Sequence, residues 1–114
     1  YGGVGFQRTA ELVSAVTGWN TSVFELVKVG ERAATVARAF NVREGLSPLD
    51  DTLPRRFFIP QSSGPLEGVA PTEEAVRSAT DSYYNIMGWP QGRPSPGKLA
   101  ELSLDWVVPV LEGK

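Results

Sequence analysis

The sequence predicts an all-α fold: a multihelical bundle of about four helices with a long Pro/Gly-rich loop between the second and third. Three observations predict it. Apolar residues recur at helical spacing over residues 23–42 and again over 72–87. Ser/Thr caps and helix-ending glycines bracket those stretches. No segment shows the strict alternation of a half-buried strand. At 114 residues the chain is one helical domain, 1–114, with room for a modest core.

The first helix is expected over 9–17, with Thr9 as cap, Leu12, Val13 and Val16 on its apolar face, and Gly18 as the left-handed stop. The glycines before it, Tyr1-Gly2-Gly3-Val4-Gly5, lack the following Lys and Ser/Thr of a phosphate loop and read as a flexible lead-in. Ser22 and Glu25 form a Ser-x-x-Glu capping box that opens the second helix, over 23–42. Leu26, Val29, Ala33, Ala37 and Phe40 recur along one face of it; Glu25, Lys28, Arg32 and Thr35 make a polar stripe. Val27, Ala34 and Val36 widen the apolar surface, so burial on more than one side is predicted. Gly30 costs about 1 kcal/mol relative to Ala in a helix interior. A second backbone passing close by would account for it.

Residues 45–71 carry five prolines and two further glycines and read as irregular, with 55–59 as a short extended piece. Leu46, Leu49, Leu53, Phe57, Phe58 and Ile59 give this loop an apolar character that needs a surface to bury against. Thr72 caps a third helix that runs to Met87 and stops at Gly88, with Ala75, Ala79, Tyr83 and Ile86 on one face. Ser95-Pro96 opens a fourth over 96–102, and Asp105 is placed to cap a last turn.

Composition narrows function. The sequence has no Cys and no His, which removes disulfides, thiolate nucleophiles, iron–sulfur ligands and nearly all zinc chemistry. A net charge of −2 with scattered acids and bases gives no nucleic-acid stripe. No apolar run reaches membrane-span length and no signal-peptide pattern opens the chain, so a cytoplasmic location is expected. The start at Tyr1 rather than Met suggests a processed or excised piece.

Charge is densest in Arg38-Ala39-Phe40-Asn41-Val42-Arg43-Glu44-Gly45 and Asp50-Asp51-Thr52-Leu53-Pro54-Arg55-Arg56. Three readings stand. Glu44, Asp50 and Asp51 could hold a hard cation; Arg43, Arg55 and Arg56 could form an anion pocket; or acids and arginines pair and pin the loop to the second helix. Balanced charge favours pairing. Adjacent tyrosines Tyr83 and Tyr84 point about 100° apart, one to the core and one to its boundary with a bonded hydroxyl. Trp19 and Trp89 each follow a helix-ending glycine and are expected to pack back; a stacking platform is the alternative.

Taken in order, Thr17-Gly18-Trp19-Asn20, Val29-Gly30-Glu31-Arg32, the two charged segments, and Tyr83-Tyr84 with Gly88-Trp89 resemble the C-terminal end of the aldehyde ferredoxin oxidoreductases. The resemblance covers residues 10–104, and Gly92-Arg93-Pro94-Ser95 with Leu99 and Leu102 suits the family's ending. It implies an oxidoreductase parent that converts aldehydes to carboxylic acids and passes electrons to ferredoxin. The implied cofactors are a tungsten (or molybdenum) bis-pterin and a [4Fe–4S] cluster. The implied partners are the N-terminal and middle domains and ferredoxin, with a homodimer left open and neither nucleic acid nor membrane. The family's cysteine and pterin motifs lie upstream, so no catalytic, cofactor-binding or metal residue carries over to any position here. The expected role is structural and cofactor-covering, with the loop over 46–59 lying on the helices and partly facing the other domains. The alternatives are a stand-alone helical protein-interaction module without redox chemistry and, with little to support it, a carboxylate hydrolase on Asp50 and Asp51.

Overall fold

A computed structural model describes residues 3–113; Tyr1 and Gly2 of the glycine lead-in lie outside the described residues. Five α-helices follow one another: α1 (Phe6–Thr17), α2 (Val23–Arg43), α3 (Glu73–Met87), α4 (Pro96–Glu101) and α5 (Val108–Glu112). Among the described residues there is no strand, only an isolated bridge between Gln61 and Glu67, so the all-α expectation holds. No helix of the described residues is long and apolar enough to cross a membrane.

Local signals place most helix ends. The Ser22–Glu25 box forms in both directions: Glu25 N–H donates to Ser22 Oγ at 3.2 Å, and Ser22 N–H donates to Glu25 Oε2 at 2.7 Å. Thr72 and Ser95 accept from Ala75 N–H (3.1 Å) and Lys98 N–H (3.2 Å). Gly18 and Gly88 sit at φ 73° and 68°, the left-handed geometry that stops α1 and α3. Three termini differ from expectation. Helix α1 starts three residues early, at Phe6 with Gly5 as its cap rather than at Thr9, and the Thr9 hydroxyl instead donates to the Gly5 carbonyl at 3.3 Å. Asp105 does not cap; it lies inside a 3-10 turn, Asp105–Val107, that leads into α5. Residues 55–58 are a 3-10 turn, not an extended piece, because Pro54 presets the bend and its carbonyl accepts from Phe57 N–H at 2.9 Å.

The core is small and one-sided. Ala39 of α2 packs with Leu99, Leu102, Leu104, Val107 and Leu111, and Val36, Val42 and Val108 close the edge. This corrects the reading of α2. The side of α2 that faces the rest of the molecule carries Lys28, Glu31, Arg32, Thr35, Arg38, Ala39 and Val42, all half-buried or buried. The stripe expected inside is outside: Val29 and Phe40 are each 54% exposed, with Ala33 and Ala37 exposed between them. Gly30 meets nothing within 4 Å, so no backbone of the described residues explains it. On α3 the inward face is likewise shifted, to Val76, Thr80 and Tyr84, while Ala75, Ala79 and Ile86 are exposed. Trp89 is buried as expected, but Trp19 is 70% exposed. The cause is shape. The molecule measures 53 × 45 × 20 Å, about two helix diameters thick. A plate that thin covers only one side of its longest helix.

Candidate functional site

The most constrained point of the fold is Arg38, whose side chain is 8% exposed in the angle between α2 and α3. Four groups surround its guanidinium. Nε donates to the Gly92 carbonyl at 2.6 Å, Nη1 pairs with Asp51 at 2.7 Å, and Nη2 donates to the Tyr84 hydroxyl at 3.1 Å. The Tyr84 hydroxyl in turn donates to the Asp51 carboxylate. The guanidinium carbon lies 5.2 Å from the Tyr84 ring centre and 5.9 Å from that of Trp89. A cation removed from water must be paired and hydrogen-bonded, and this cage does both.

The chain builds the cage from four places. Helix α2 delivers Arg38, the loop delivers Asp51 just after the Ser47-capped turn Pro48–Asp50, and α3 delivers Tyr84. The αL stop at Gly88 turns the chain so that Trp89 packs inward and Gly92 (φ 74°) presents its carbonyl. A Cβ at position 92 would collide with the Arg38 guanidinium and come within 2.9 Å of Tyr84 Cζ. Glycine is therefore required there by space as well as by backbone angle. Burial, with the Asp51 hydrogen bond second, pushes the Tyr84 phenol above its ordinary range, so it stays a neutral donor. Beside the cage opens a cleft of about 540 Å³, lined by Arg38, Asp51, Leu53, Thr80, Tyr83 and Trp89. Tyr83 meets Trp89 edge-on at 5.7 Å, and the buried Trp89 Nε1 has no acceptor.

A second cluster ties α2 to α4. Lys28 pairs with Glu31 (2.7 Å) and with Glu101; Lys98 pairs with Glu31 (2.6 Å) and Glu101 (2.8 Å). Hydrogen bonds from the two lysines hold the Glu101 carboxyl down at about 2 and lower Glu31, and the same bonds raise both lysines. Arg32 Nε adds a bond to the Leu102 carbonyl at 2.7 Å.

The sequence-predicted candidates separate. Asp51 joins the cage, but Asp50 turns away to cap Ser47, its Oδ2 accepting from Ser47 N–H at 2.7 Å, which lowers its carboxyl. Glu44 pairs with its neighbour Arg43 at 2.8 Å. The Arg43 guanidinium covers the Phe40 ring at 4.9 Å, and that of Arg56 covers Phe57 at 5.2 Å, while Arg55 is exposed. The acids and arginines of 50–56 do not neutralise one another; Asp51 pins the loop to α2 through Arg38 instead. Among the described residues no three His, Cys, Asp or Glu side chains converge as metal ligands. Tyr84 is the buried tyrosine and also the one whose hydroxyl is bonded, whereas Tyr83 is 47% exposed. Sequence reasoning gave Arg38 and Gly92 no site role and did not link Lys28, Glu31, Lys98 and Glu101. Arg38 lies three residues from Thr35 and four from Val42 on one helical face, and that register, with the charged run it opens, was its local signal.

Fold and centre define an all-α domain organised around a caged arginine, with helices tied by charge. The family described as "Aldehyde ferredoxin oxidoreductase, domains 2 & 3" matches residues 2–104. The tungsten-containing aldehyde ferredoxin oxidoreductase of Pyrococcus horikoshii is 36% identical over 106 residues, covering 90% of this chain and 17% of the relative. That of Pyrococcus furiosus is 34% identical over 105 residues, with the same coverage. The aliphatic sulfonate oxidoreductase, WOR-like subunit, of Pyrococcus furiosus is 30% identical over 107 residues, covering 88% of this chain and 17% of the relative. The chain belongs to the aldehyde ferredoxin oxidoreductase family, and it spans about a sixth of the length of the relatives it matches.

Proposed function

We propose that residues 1–114 are one C-terminal helical domain of an aldehyde:ferredoxin oxidoreductase-like enzyme, structural and cofactor-covering rather than catalytic by itself. The intact enzyme oxidises an aldehyde to a carboxylic acid and passes the electrons to ferredoxin in the cytoplasm, using a tungsten bis-pterin and a [4Fe–4S] cluster. One observation carries the reading: about nine-tenths of this chain aligns with tungsten-containing relatives roughly six times its length.

The donor set of this chain does not fit the iron–sulfur cluster. A [4Fe–4S] cluster needs thiolates and the sequence has no Cys; it has no His either, and no carboxylates of the described residues gather as ligands. The cluster ligands therefore belong to other parts of the parent. What these residues supply is a rigid corner at Arg38 and a broad surface for those parts.

Metal analysis and aldehyde-dependent viologen reduction on the intact gene product test the reading. Tungsten, iron and aldehyde oxidation are expected in the intact product, and none of the three in residues 1–114 alone. An intact product that contains neither metal, or an open reading frame no longer than this chain, sinks the proposal.

A further inference from the structure

The two sides of α2 are assigned the wrong way round for an independent domain. At 100° per residue, Lys28, Glu31, Thr35, Arg38 and Val42 share one side, and Leu26, Val29, Gly30, Ala33, Ala37 and Phe40 share the opposite one. The first side faces the molecule and is rich in charge, every charge on it paired or bonded. The second is uncharged, and apart from the half-buried Leu26 it is exposed. Val29 and Phe40 stand 54% exposed at its two ends, with only Gly and Ala between them. Gly30 weakens the helix and gains nothing inside this structure, because a Cβ there would meet open space.

We infer that this outer side of α2 is the seat of an apolar segment of the same parent polypeptide, lying outside these 114 residues and crossing α2 over Gly30. The inference rests on the proposed membership of a larger enzyme and names the surface through which that enzyme holds the domain. Three features select the occupant. About five-sixths of the length of the relatives lies outside the match, so chain is at hand to cover the face. The side chains of the stripe carry no charge, and the Arg43 guanidinium meets it at the Phe40 end, so its occupant is apolar from Val29 to Ala37. Gly30, Ala33 and Ala37 form a shallow floor between two larger residues, which admits a backbone at close range. With that segment in place α2 is covered on both sides.

Two substitutions in the intact gene product test this with opposite signs. On an open helix face Gly30→Ala raises thermal stability, and Ala33→Glu leaves it unchanged, because both residues favour helix. Under a docked segment both lower the apparent melting temperature, and both quicken proteolytic release of the domain. A rise for Gly30→Ala with no change for Ala33→Glu overturns the inference. So does a switch from homodimer to monomer in light scattering at unchanged proteolysis, which would give the face to a second copy. Metal content and aldehyde oxidation of the unsubstituted product report on the proposed function separately, so the two ideas fail by different measurements.

Discussion

Arg38 concentrates more of the fold than any other described side chain, because it bonds a backbone carbonyl, a carboxylate and a phenol from three separate segments. Replacing it by Ala leaves the Gly92 carbonyl without the Arg38 donor and Asp51 with the Tyr84 hydroxyl but no cation, so a loss of about 2–3 kcal/mol is expected in urea unfolding. Tyr84→Phe removes a neutral donor and leaves the ion pair, at about 1 kcal/mol. Equal losses for the two would mean that the ion pair contributes nothing beyond the phenol. The components of this cage were partly legible. The charged run around Arg38 and the segment around Asp51 stand out in the sequence, and pairing was the favoured reading. The partner was not legible, since Asp51 lies nearer in sequence to Arg55 and Arg56 than to Arg38. The need for glycine at position 92 was not legible for the same reason: the nearest atom limiting its space belongs to Arg38, 54 residues away along the chain.

Helix ends were the most readable elements, because caps act within four residues. Ser22 with Glu25, Thr72, Ser95, Gly18 and Gly88 all function where expected. Residues 55–58 and the start of α1 were not, since Pro54 and Gly5 suit more than one conformation. The inward faces of α2 and α3 were misread for a different reason. Periodicity finds the apolar side of a helix and then supposes that the core lies within the chain. The packing of α4 on α2 adds an ion-pair network to the apolar contact of Ala39 with Leu99, and that network makes it sensitive to pH. Glu31 and Glu101 have lowered values in the folded chain, so their contribution is complete above the ordinary 4.5 and is lost as pH falls toward about 2. Lys28 and Lys98 have raised values, so theirs is complete below 10.5 and is lost only as pH climbs beyond it. Melting temperature is expected to fall between pH 5 and 2, and Glu101→Gln should flatten that fall. The Glu25 and Asp50 capping carboxyls act in the same direction, so some slope persists in the variant. An unchanged slope would show that the α2–α4 tie carries no stability.

As a whole the molecule is a plate. Its Cα radius of gyration is 18.5 Å, where a compact chain of this length has about 13 Å. Family membership was legible because five short motifs keep their order, whereas the plate shape was not, since nothing in a local pattern reports what is absent from one side. The consequence of that thinness is a matter of cooperativity. The accessible surface is 8448 Å², where a compact 12.3 kDa protein shows about 6,100 Å². A chain that hides so little has little left to expose when it unfolds. Because the denaturant slope follows the newly exposed surface, residues 1–114 alone should melt in a broad urea transition, below the usual slope for their length. Joined to the parent, the same helices should instead unfold in step with it, in a sharper transition. A steep transition for the isolated chain would mean that the plate is a self-sufficient cooperative unit.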